Sequence, residues 1–328
     1  MNNWTPLHCH SHYSLLDGLS KPESIAKRVK ELGYKSVALT DHGTISGTVS
    51  FIKACMAQEI KPIIGCEFYI CNDKANIHEK ENGKHSHLCV LAKNIQGWSE
   101  LIKLTSLANS SDYFYRKPRL NIDDFSAYAK NLVAFSGHPG TALANCILPN
   151  EAYKAGSYEE AKSLIKDDWY SSAKELVSKY QSIFGKENFF IEIQLFDADN
   201  LPCVKALAEC LRKLSNDTGI KRIGTPDAHY AYQQDATDQR IILCSALETN
   251  LEKVKAAIEK QEEFGLSGFF KSNRYYIPSF DEVSTYYDEE EIKNCLLIEE
   301  MCEQFSVIKQ PNLPKFQCPN DLSQKEYL

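Results

Sequence analysis

The sequence of 328 residues lacks the features that mark several large classes of protein. It contains no apolar run approaching the roughly 18–20 residues of a membrane-spanning helix. The start Met1–Trp4 has neither the basic residues nor the apolar core of a secretion signal. No stretch of low complexity interrupts the chain. We therefore expect no membrane partner and a cytoplasmic location.

The motifs of common nucleotide-binding and disulfide-rich proteins are also missing. No G-x-G-x-x-G follows an early strand and no G-x-x-x-x-G-K-[ST] occurs, which removes the main support for dinucleotide-binding and Walker-type folds. The 12 cysteines form no C-x-x-C pair, a pattern typical of free thiols in a reducing compartment. The net charge of −7 argues against a simple basic nucleic-acid binder. It is compatible with an enzyme that holds one strand end through metal ions.

Short apolar runs, rich in β-branched and aromatic residues, alternate with longer stretches of helical periodicity. The runs predict strands at residues 36–40, 62–64, 88–91, 132–135, 189–193 and 221–225. Helices are predicted near residues 45–58, 97–109, 157–183, 203–216, 233–247 and 289–306. Ser20 and Glu23 have the spacing of a capping box at the start of a further helix. Repeated strand–helix units predict an α/β fold with a mostly parallel sheet, and about seven strands favour a barrel.

Histidines and acidic residues recur at the ends of the predicted strands. His8 and His10 are two residues apart, so in a strand their imidazoles lie on one face and form a natural metal clip. Similar strand-end positions are held by His42, Glu67, His138, Asp227 and His229, and His87 begins the strand at 88–91. The carboxyl ends of barrel strands converge on one face. Mixed imidazole and carboxylate ligands suit Zn²⁺, Mn²⁺ or Fe rather than Ca²⁺.

A single histidine at a strand end is usually a surface or hydrogen-bonded residue, and H-x-H alone is a weak motif. What indicates a metal site is the combination of four motifs at strand ends, in this order: H-x-H at 8–10, D-H-G at 41–43, G-x-E at 65–67 and D-x-H at 227–229. His12, His78 and His85 lack this placement, and residues 78–84 are predicted to form a solvated loop. Asp41 is interpreted either as a carboxylate that orients a neighbouring imidazole or as a turn residue.

Residues 8–18, HCHSHYSLLDG, resemble the first motif of the PHP (polymerase and histidinol phosphatase) family. The extension at 13–18 resembles the branch found in the alpha subunit of the bacterial C-family replicative DNA polymerase, DNA polymerase III. Further segments resemble that branch at 39–43, 62–69, 87–94, 114–119, 225–230, 313–316 and 326–328. The resemblance implies a distorted (β/α)₇ TIM-like barrel, predicted here over residues 1–310. Residues 311–328 are predicted to begin the connection to a polymerase body.

The resemblance also implies two to three divalent ions, Zn, Mn or Fe, with Mg as a further candidate. The ligand positions of the family match His8, His10, Asp17, His42, Glu67, His87, His138, Asp227 and His229. The implied groups are His8, His10, Glu67 and Asp227 on one ion, Glu67, His87 and His138 on a second, and Asp17, His42 and His229 on a third. Position 138 is often Cys in the polymerase branch, and Pro226 replaces a common Asn.

The implied activity is 3′–5′ exonuclease proofreading at a DNA 3′ end, with the rest of the polymerase and other replisome subunits as partners. Arg116, Lys117 and Arg119 are predicted to bind the strand's phosphates, or else to form a solvated basic loop. Residues 113–115 are aromatic and are interpreted as packing residues that have the capacity to stack bases. Two alternatives stay open. One is a stand-alone phosphatase acting on a small phosphomonoester, and the other is a catalytically silent, metal-stabilised scaffold.

Overall fold

The computed structural model describes residues 3–260, 267–308, 318–319 and 322–327. The strands in these ranges are β1 (Ser36–Leu39), β2 (Lys61–Cys71), β3 (His85–Ala92), β4 (Arg119–Asn121), β5 (Leu132–Ser136), β6 (Phe189–Ile193) and β7 (Arg222–Gly224). All six predicted strands are present. Strand β4 was not predicted, and β2 and β3 extend well beyond the apolar runs that revealed them.

The helices in the described ranges are α1 (Pro22–Glu31), α2 (Thr48–Ala57), α3 (Ile95–Ala108), α4 (Ala142–Ile147), α5 (Tyr158–Ser163), α6 (Trp169–Phe184), α7 (Cys203–Thr218), α8 (Ala236–Ala246), α9 (Leu251–Glu259), α10 (Ser267–Lys271), α11 (Phe280–Tyr286), α12 (Glu289–Met301) and α13 (Gln324–Tyr327). The helix predicted at 157–183 is in fact two helices, α5 and α6. Within these ranges no helix combines the length and the hydrophobicity that crossing a membrane requires.

The sheet has the strand order β1-β2-β3-β5-β6-β7, with β4 added beside β2. Strand β3 runs antiparallel to both of its neighbours, which corrects the prediction of a mostly parallel arrangement at this point. The remaining pairs are parallel. The reversal follows from the connection between β2 and β3, which contains only the short 3₁₀ turn Glu81–Gly83. A parallel neighbour needs a crossover connection that is usually helical.

The segment at residues 6–10 joins the two ends of this curled sheet. On one side the backbone N–H of Thr40 donates to the carbonyl of Cys9 at 2.9 Å. On the other side the N–H of His10 donates to the carbonyl of Ala228 at 2.8 Å. The result is a distorted TIM-like barrel in which the N-terminal histidines lie beside the loop that follows β7.

Helix α1 begins differently from the predicted capping box. Lys21 is its N-cap and supplies no side-chain cap, while the Ser20 hydroxyl accepts a hydrogen bond from the N–H of Ala231 at 2.7 Å. The prediction was wrong because a distant backbone donor takes the Ser20 oxygen. Pro22 in the first turn, where an N–H has no helical partner, still favours a helix start here.

Helix α12 is fixed to the barrel by a buried acid. Glu291 is buried and accepts hydrogen bonds from Arg212 Nε at 2.6 Å and from Arg222 Nε at 3.2 Å. Asn294 Nδ2 also donates to the carbonyl of Arg222 at 2.9 Å. Helix α12 is therefore attached to strand β7. The predicted domain boundary at 310/311 and the motif at 313–316 lie outside the described residues, so the domain division stays a prediction.

Candidate metal centre

Glu67, on β2, lies at the middle of the predicted ligands. His42 directly follows β1 and bridges to Glu67, so its Nδ1 lies 2.7 Å from Glu67 Oε2. His87 lies on β3 and His138 follows β5, the next strand of the sheet. His87 Nδ1 lies 3.0 Å from Glu67 Oε1, and His138 Nε2 lies 2.8 Å from the same oxygen. Strand order thus gathers four residues that are distant in the sequence.

Asp227 faces the histidine pair of the N-terminal segment. Its Oδ1 lies 3.4 Å from Nε2 of both His8 and His10. The same two Nε2 atoms lie 3.5 and 3.3 Å from Glu67 Oε2. Asp227 has a positive φ of 49°, which is uncommon for a residue other than glycine. Such strain is often found at functional sites.

Asp17 completes the cluster from the loop before α1. Its Oδ2 lies 3.1 Å from His42 Nε2, and its Oδ1 lies 3.7 Å from His229 Nε2. The structure therefore brings all nine predicted residues together. His42 contacts both Asp17 and Glu67, and its ligand atom also groups with those of Glu67 and His87. The division of the nine residues among individual ions stays a prediction.

Four buried atoms of this cluster test whether it suits cations. Glu67 Oε2, Asp17 Oδ1, His42 Nδ1 and His138 Nε2 have no hydrogen-bond partner among the described residues. His42 Nδ1 and Glu67 Oε2 lie 2.7 Å apart, but not in hydrogen-bonding geometry. Leaving buried polar atoms unpaired is unfavourable. A mixed nitrogen and oxygen donor set with unused lone pairs fits divalent cations such as Zn²⁺, Mn²⁺ or Fe²⁺.

The charges of the cluster shift its pKa values in opposite directions. Burial alone lowers the pKa of His42, but the carboxylates of Glu67 and Asp17 outweigh it and raise this pKa to about 10. Burial is likewise outweighed at His138, where Glu192 and Glu67 raise the pKa to about 9. The imidazoles in turn hold the pKa of Glu67 well below its usual range. The carboxylates therefore attract positive charge into the barrel mouth.

Asp41 is connected to His10 of the cluster through Ser14, in agreement with the interpretation that Asp41 orients a neighbouring imidazole. Ser14 Oγ donates to Asp41 Oδ1 at 2.8 Å and lies 3.1 Å from Nδ1 of His10. Because the hydroxyl proton goes to Asp41, the serine oxygen is free to accept the N–H of His10. In that tautomer the lone pair of His10 is on Nε2, which lies 3.4 Å from Asp227 Oδ1.

Glu192 is a residue of this site that the sequence reasoning missed. It is completely buried and contacts Nδ1 of His8 at 2.7 Å and Nδ1 of His138 at 2.5 Å. Burial alone raises its pKa, but the imidazoles outweigh burial and lower the pKa to about 2. The available signal was a single acidic residue within the otherwise apolar strand β6.

A cleft of about 710 Å³ opens beside the cluster. Asp17, His42 and Lys117 are among the residues that line it. The Lys117 ammonium is exposed and lies 5.1 Å from the centre of the Tyr69 ring. Arg116 is also exposed but does not line the cleft, and its guanidinium lies 5.5 Å from the centre of the Tyr115 ring.

Arg119 was predicted to be a third phosphate-binding residue, and its burial in the structure contradicts this prediction. It is 2% exposed, and its guanidinium donates to the carbonyls of Asn82, Ala75 and Ile77. Those bonds hold the loop between β2 and β3 and leave the side chain no access to a strand. The basic pattern misled because burial of an arginine depends on carbonyls that are 37–44 residues away.

The three histidines left outside the predicted site also lie outside the observed cluster. His78 is exposed, and its Nε2 lies 2.8 Å from the carbonyl oxygen of Asp112. His85 is exposed and stacks on His87, with 5.9 Å between ring centres. His12 is half-buried against the ring of Tyr13, at 4.4 Å between centres.

A comparison with known protein families identifies the family of this chain. The family model of the PHP domain matches residues 6–195, more than half of the chain. The chain belongs to the PHP domain family. The matched residues contain seven of the nine clustered side chains. Asp227 and His229 lie beyond them, and in this PHP domain the pairing of Cys9 with Ala228 brings both to the site.

The curated relatives of this PHP domain include DNA polymerase III alpha subunits. The subunit of Helicobacter pylori is 36% identical over 244 residues, which cover 74% of this chain and 19% of the relative. The subunit of Treponema pallidum is 32% identical over 325 residues, 98% of this chain and 25% of the relative. The subunit of Borreliella burgdorferi is 32% identical, covering 95% and 25%. The chain thus spans about a quarter or less of the length of these relatives.

Among solved structures, an amidohydrolase from Chromobacterium violaceum aligns over 69% of this chain and 87% of its own, with 14% identity and a TM-score of 0.41.

Proposed function

We propose that this PHP domain is a metal-dependent phosphodiesterase that removes nucleotides from a DNA 3′ end. We further propose that it acts as the proofreading portion of a DNA polymerase III alpha subunit. The observation that carries the proposal is the set of unpaired ligand atoms around Glu67, beside an open cleft that Asp17 and His42 line. A ligand cluster that opens onto a cleft suits hydrolysis better than a purely structural site, which is usually closed.

The chemistry is assigned to bound ions and to the residues that hold them. When bound, two to three divalent ions supply a water activated near neutral pH and neutralise charge on the phosphate. The nine clustered residues hold these ions, and Glu67 lies between two of the groups. A thiol nucleophile is disfavoured, because burial raises the pKa of Cys89, the cysteine beside His8, well above its usual value.

The cleft is proposed to receive the single-stranded end of the primer. Lys117 lines the same cleft as His42 and Asp17, and we propose that it contacts a phosphate of the strand. Leu15 and Leu16 form an apolar rim, 82% and 51% exposed, against which a frayed base can lie. With a net charge of −7 the chain offers few other phosphate contacts, so salt should slow hydrolysis only slightly.

The proposed partners are the remainder of the polymerase and the other replisome subunits, since alpha subunits are the relatives that this chain matches along nearly its whole length. The place of action is then the cytoplasm, where a bacterial chromosome is replicated.

A primer with a 5′ label tests this function. The protein is incubated with Mn²⁺ or Zn²⁺ and with primers annealed so that the terminal base is matched or mispaired. A ladder of shortened products is expected, and it should form faster from the mispaired end because unpairing is easier there. His10→Ala should abolish the ladder and His78→Ala should not.

Two other outcomes would contradict the proposal. An intact primer together with rapid release of phosphate from small phosphomonoesters would indicate a phosphatase. An intact primer without phosphatase activity, in a fully metallated protein, would indicate a scaffold.

A further inference from the structure

The carboxylate of Glu192 lies between two histidines of the metal centre and contacts the Nδ1 atom of each. Its Oε1 lies 2.7 Å from His8 Nδ1, and its Oε2 lies 2.5 Å from His138 Nδ1. Thr225 Oγ1 donates a third hydrogen bond to Oε1 at 2.5 Å. All four groups are completely or almost completely buried. Both carboxylate oxygens are therefore engaged, and the carboxylate is held in one orientation.

The opposite nitrogen of each ring faces the centre. His138 Nε2 lies 2.8 Å from Glu67 Oε1, and His8 Nε2 lies 3.5 Å from Glu67 Oε2. A carboxylate only accepts hydrogen bonds, so both Nδ1 atoms must carry the proton. When a cation displaces the second proton of either ring, the lone pair that becomes available is the one on Nε2.

We propose that Glu192 is a positioning residue that fixes the tautomer and the ring orientation of His8 and His138 at once. The two histidines belong to different predicted ion groups, so one buried carboxylate prepares ligands for two ions. Carboxylates behind ligating histidines commonly have this role. Glu192 itself is not proposed as a ligand, because its oxygens lie on the far side of the rings from Glu67.

The backbone next to His138 supports the same arrangement. Gly137 has a φ of +147°, and a Cβ at this position would lie 2.2 Å from the carbonyl oxygen of Glu192. Only glycine allows the loop after β5 to pack this tightly onto β6. The fold therefore brings the residue before His138 directly against the main chain of Glu192.

The first test reads the tautomers in the unaltered protein. Histidine is labelled with ¹⁵N, the protein is loaded with Zn²⁺, and the ring signals are assigned by their loss in His8→Gln and His138→Gln. The proposal predicts a proton on Nδ1 and none on Nε2 in both rings. A proton on Nε2 of either ring, or ligation through its Nδ1, overturns the proposal even if no Glu192 variant folds.

The second test replaces the carboxylate. In Glu192→Gln the amide keeps the shape but turns a donor toward one histidine, which forces the proton of that ring onto Nε2. Zn²⁺ affinity, measured by competition with a chelator, should fall roughly 10–100-fold. Glu192→Asp should lose less, because one hydrogen bond can still form.

Glu187→Gln is the matched control, since Glu187 is 77% exposed in its side chain and pairs with Lys221 at the surface. It should leave Zn²⁺ affinity unchanged. Far-UV circular dichroism of the metal-free variants separates a folding defect from a loss of positioning. A folded Glu192→Gln variant with unchanged Zn²⁺ affinity and unchanged tautomers overturns the proposal.

Discussion

Nε2 of His138 lies 2.8 Å from Oε1 of Glu67, and it nevertheless has no hydrogen-bond partner among the described residues. Two polar atoms this close would normally form a hydrogen bond. The relative orientation of the two groups does not suit one here. His42 Nδ1 and Glu67 Oε2, 2.7 Å apart, show the same relationship. Ligand atoms of a common ion also lie close together without bonding to each other.

Removing a predicted ligand should abolish hydrolysis, whereas removing an outlying histidine should not. His10→Ala and Asp227→Asn each take away one clustered side chain, and we expect the primer to stay intact in both. His78→Ala should keep at least half of the activity, because His78 is exposed and contacts the carbonyl of Asp112 rather than the clustered residues. The measurement is the rate of primer shortening at saturating Mn²⁺. Equal losses in all three variants would mean that the ligand assignment is wrong.

Substitution of Lys117 should affect substrate binding, whereas substitution of Arg119 should affect the stability of the fold. Lys117→Ala should raise KM for the primer several-fold with little change in kcat or in unfolding. Arg119→Ala should instead destabilise the fold by on the order of 3 kcal/mol, because it leaves buried carbonyls unpaired. Urea unfolding and steady-state kinetics of the two variants check this contrast. If Arg119→Ala were fully stable and raised only KM, the assignment of a structural role would fail.

The affinity for metal should increase with pH across the neutral range. In the metal-free protein, the carboxylates outweigh burial and raise the pKa of His42 to about 10 and that of His138 to about 9. These imidazoles therefore carry protons at pH 7 and must lose them to bind a cation. Binding should release protons and weaken as the pH falls from 8 to 6. Calorimetry in buffers of different ionisation enthalpy measures this release, and its absence would contradict the prediction.

Gly137→Ala should disturb the centre without touching any ligand. The added Cβ would meet the carbonyl of Glu192, and the φ of +147° disfavours any other residue. We expect a loss of stability of more than about 1 kcal/mol and a reduced number of bound ions. Gly33→Ala is the matched control, since Gly33 also has a positive φ but has no atom within 4 Å of the added Cβ. Equal metal content in the two variants would argue against the coupling of Gly137 to His138.

The strand-end histidines could be predicted because the apolar runs that mark strands and the spacing of residues after them are local properties of the sequence. His42 follows an apolar run, and such positions meet at one face of any barrel. The reversed direction of β3 could not be predicted, since alternation of residues is the same in parallel and antiparallel strands. Ser20 was misassigned because its partner, the N–H of Ala231, is far away in the sequence.

Glu192 and Arg119 illustrate the same limit in opposite senses. Glu192 looked like part of an apolar strand, although it contacts two histidines of the site. Arg119 looked like a surface cation, although it is buried among carbonyls of a distant loop. In both residues the role is set by partners that only the folded chain brings together.

The central claim is that the nine clustered residues hold two to three divalent ions. Elemental analysis of the purified protein after metal-replete expression tests it most directly, with anomalous diffraction to locate each ion. We predict two to three transition-metal equivalents per chain, all within the cluster around Glu67, and a lower melting temperature after chelation because the ions bind only the folded state. Fewer than one equivalent per chain, or ions found only elsewhere, would contradict the account.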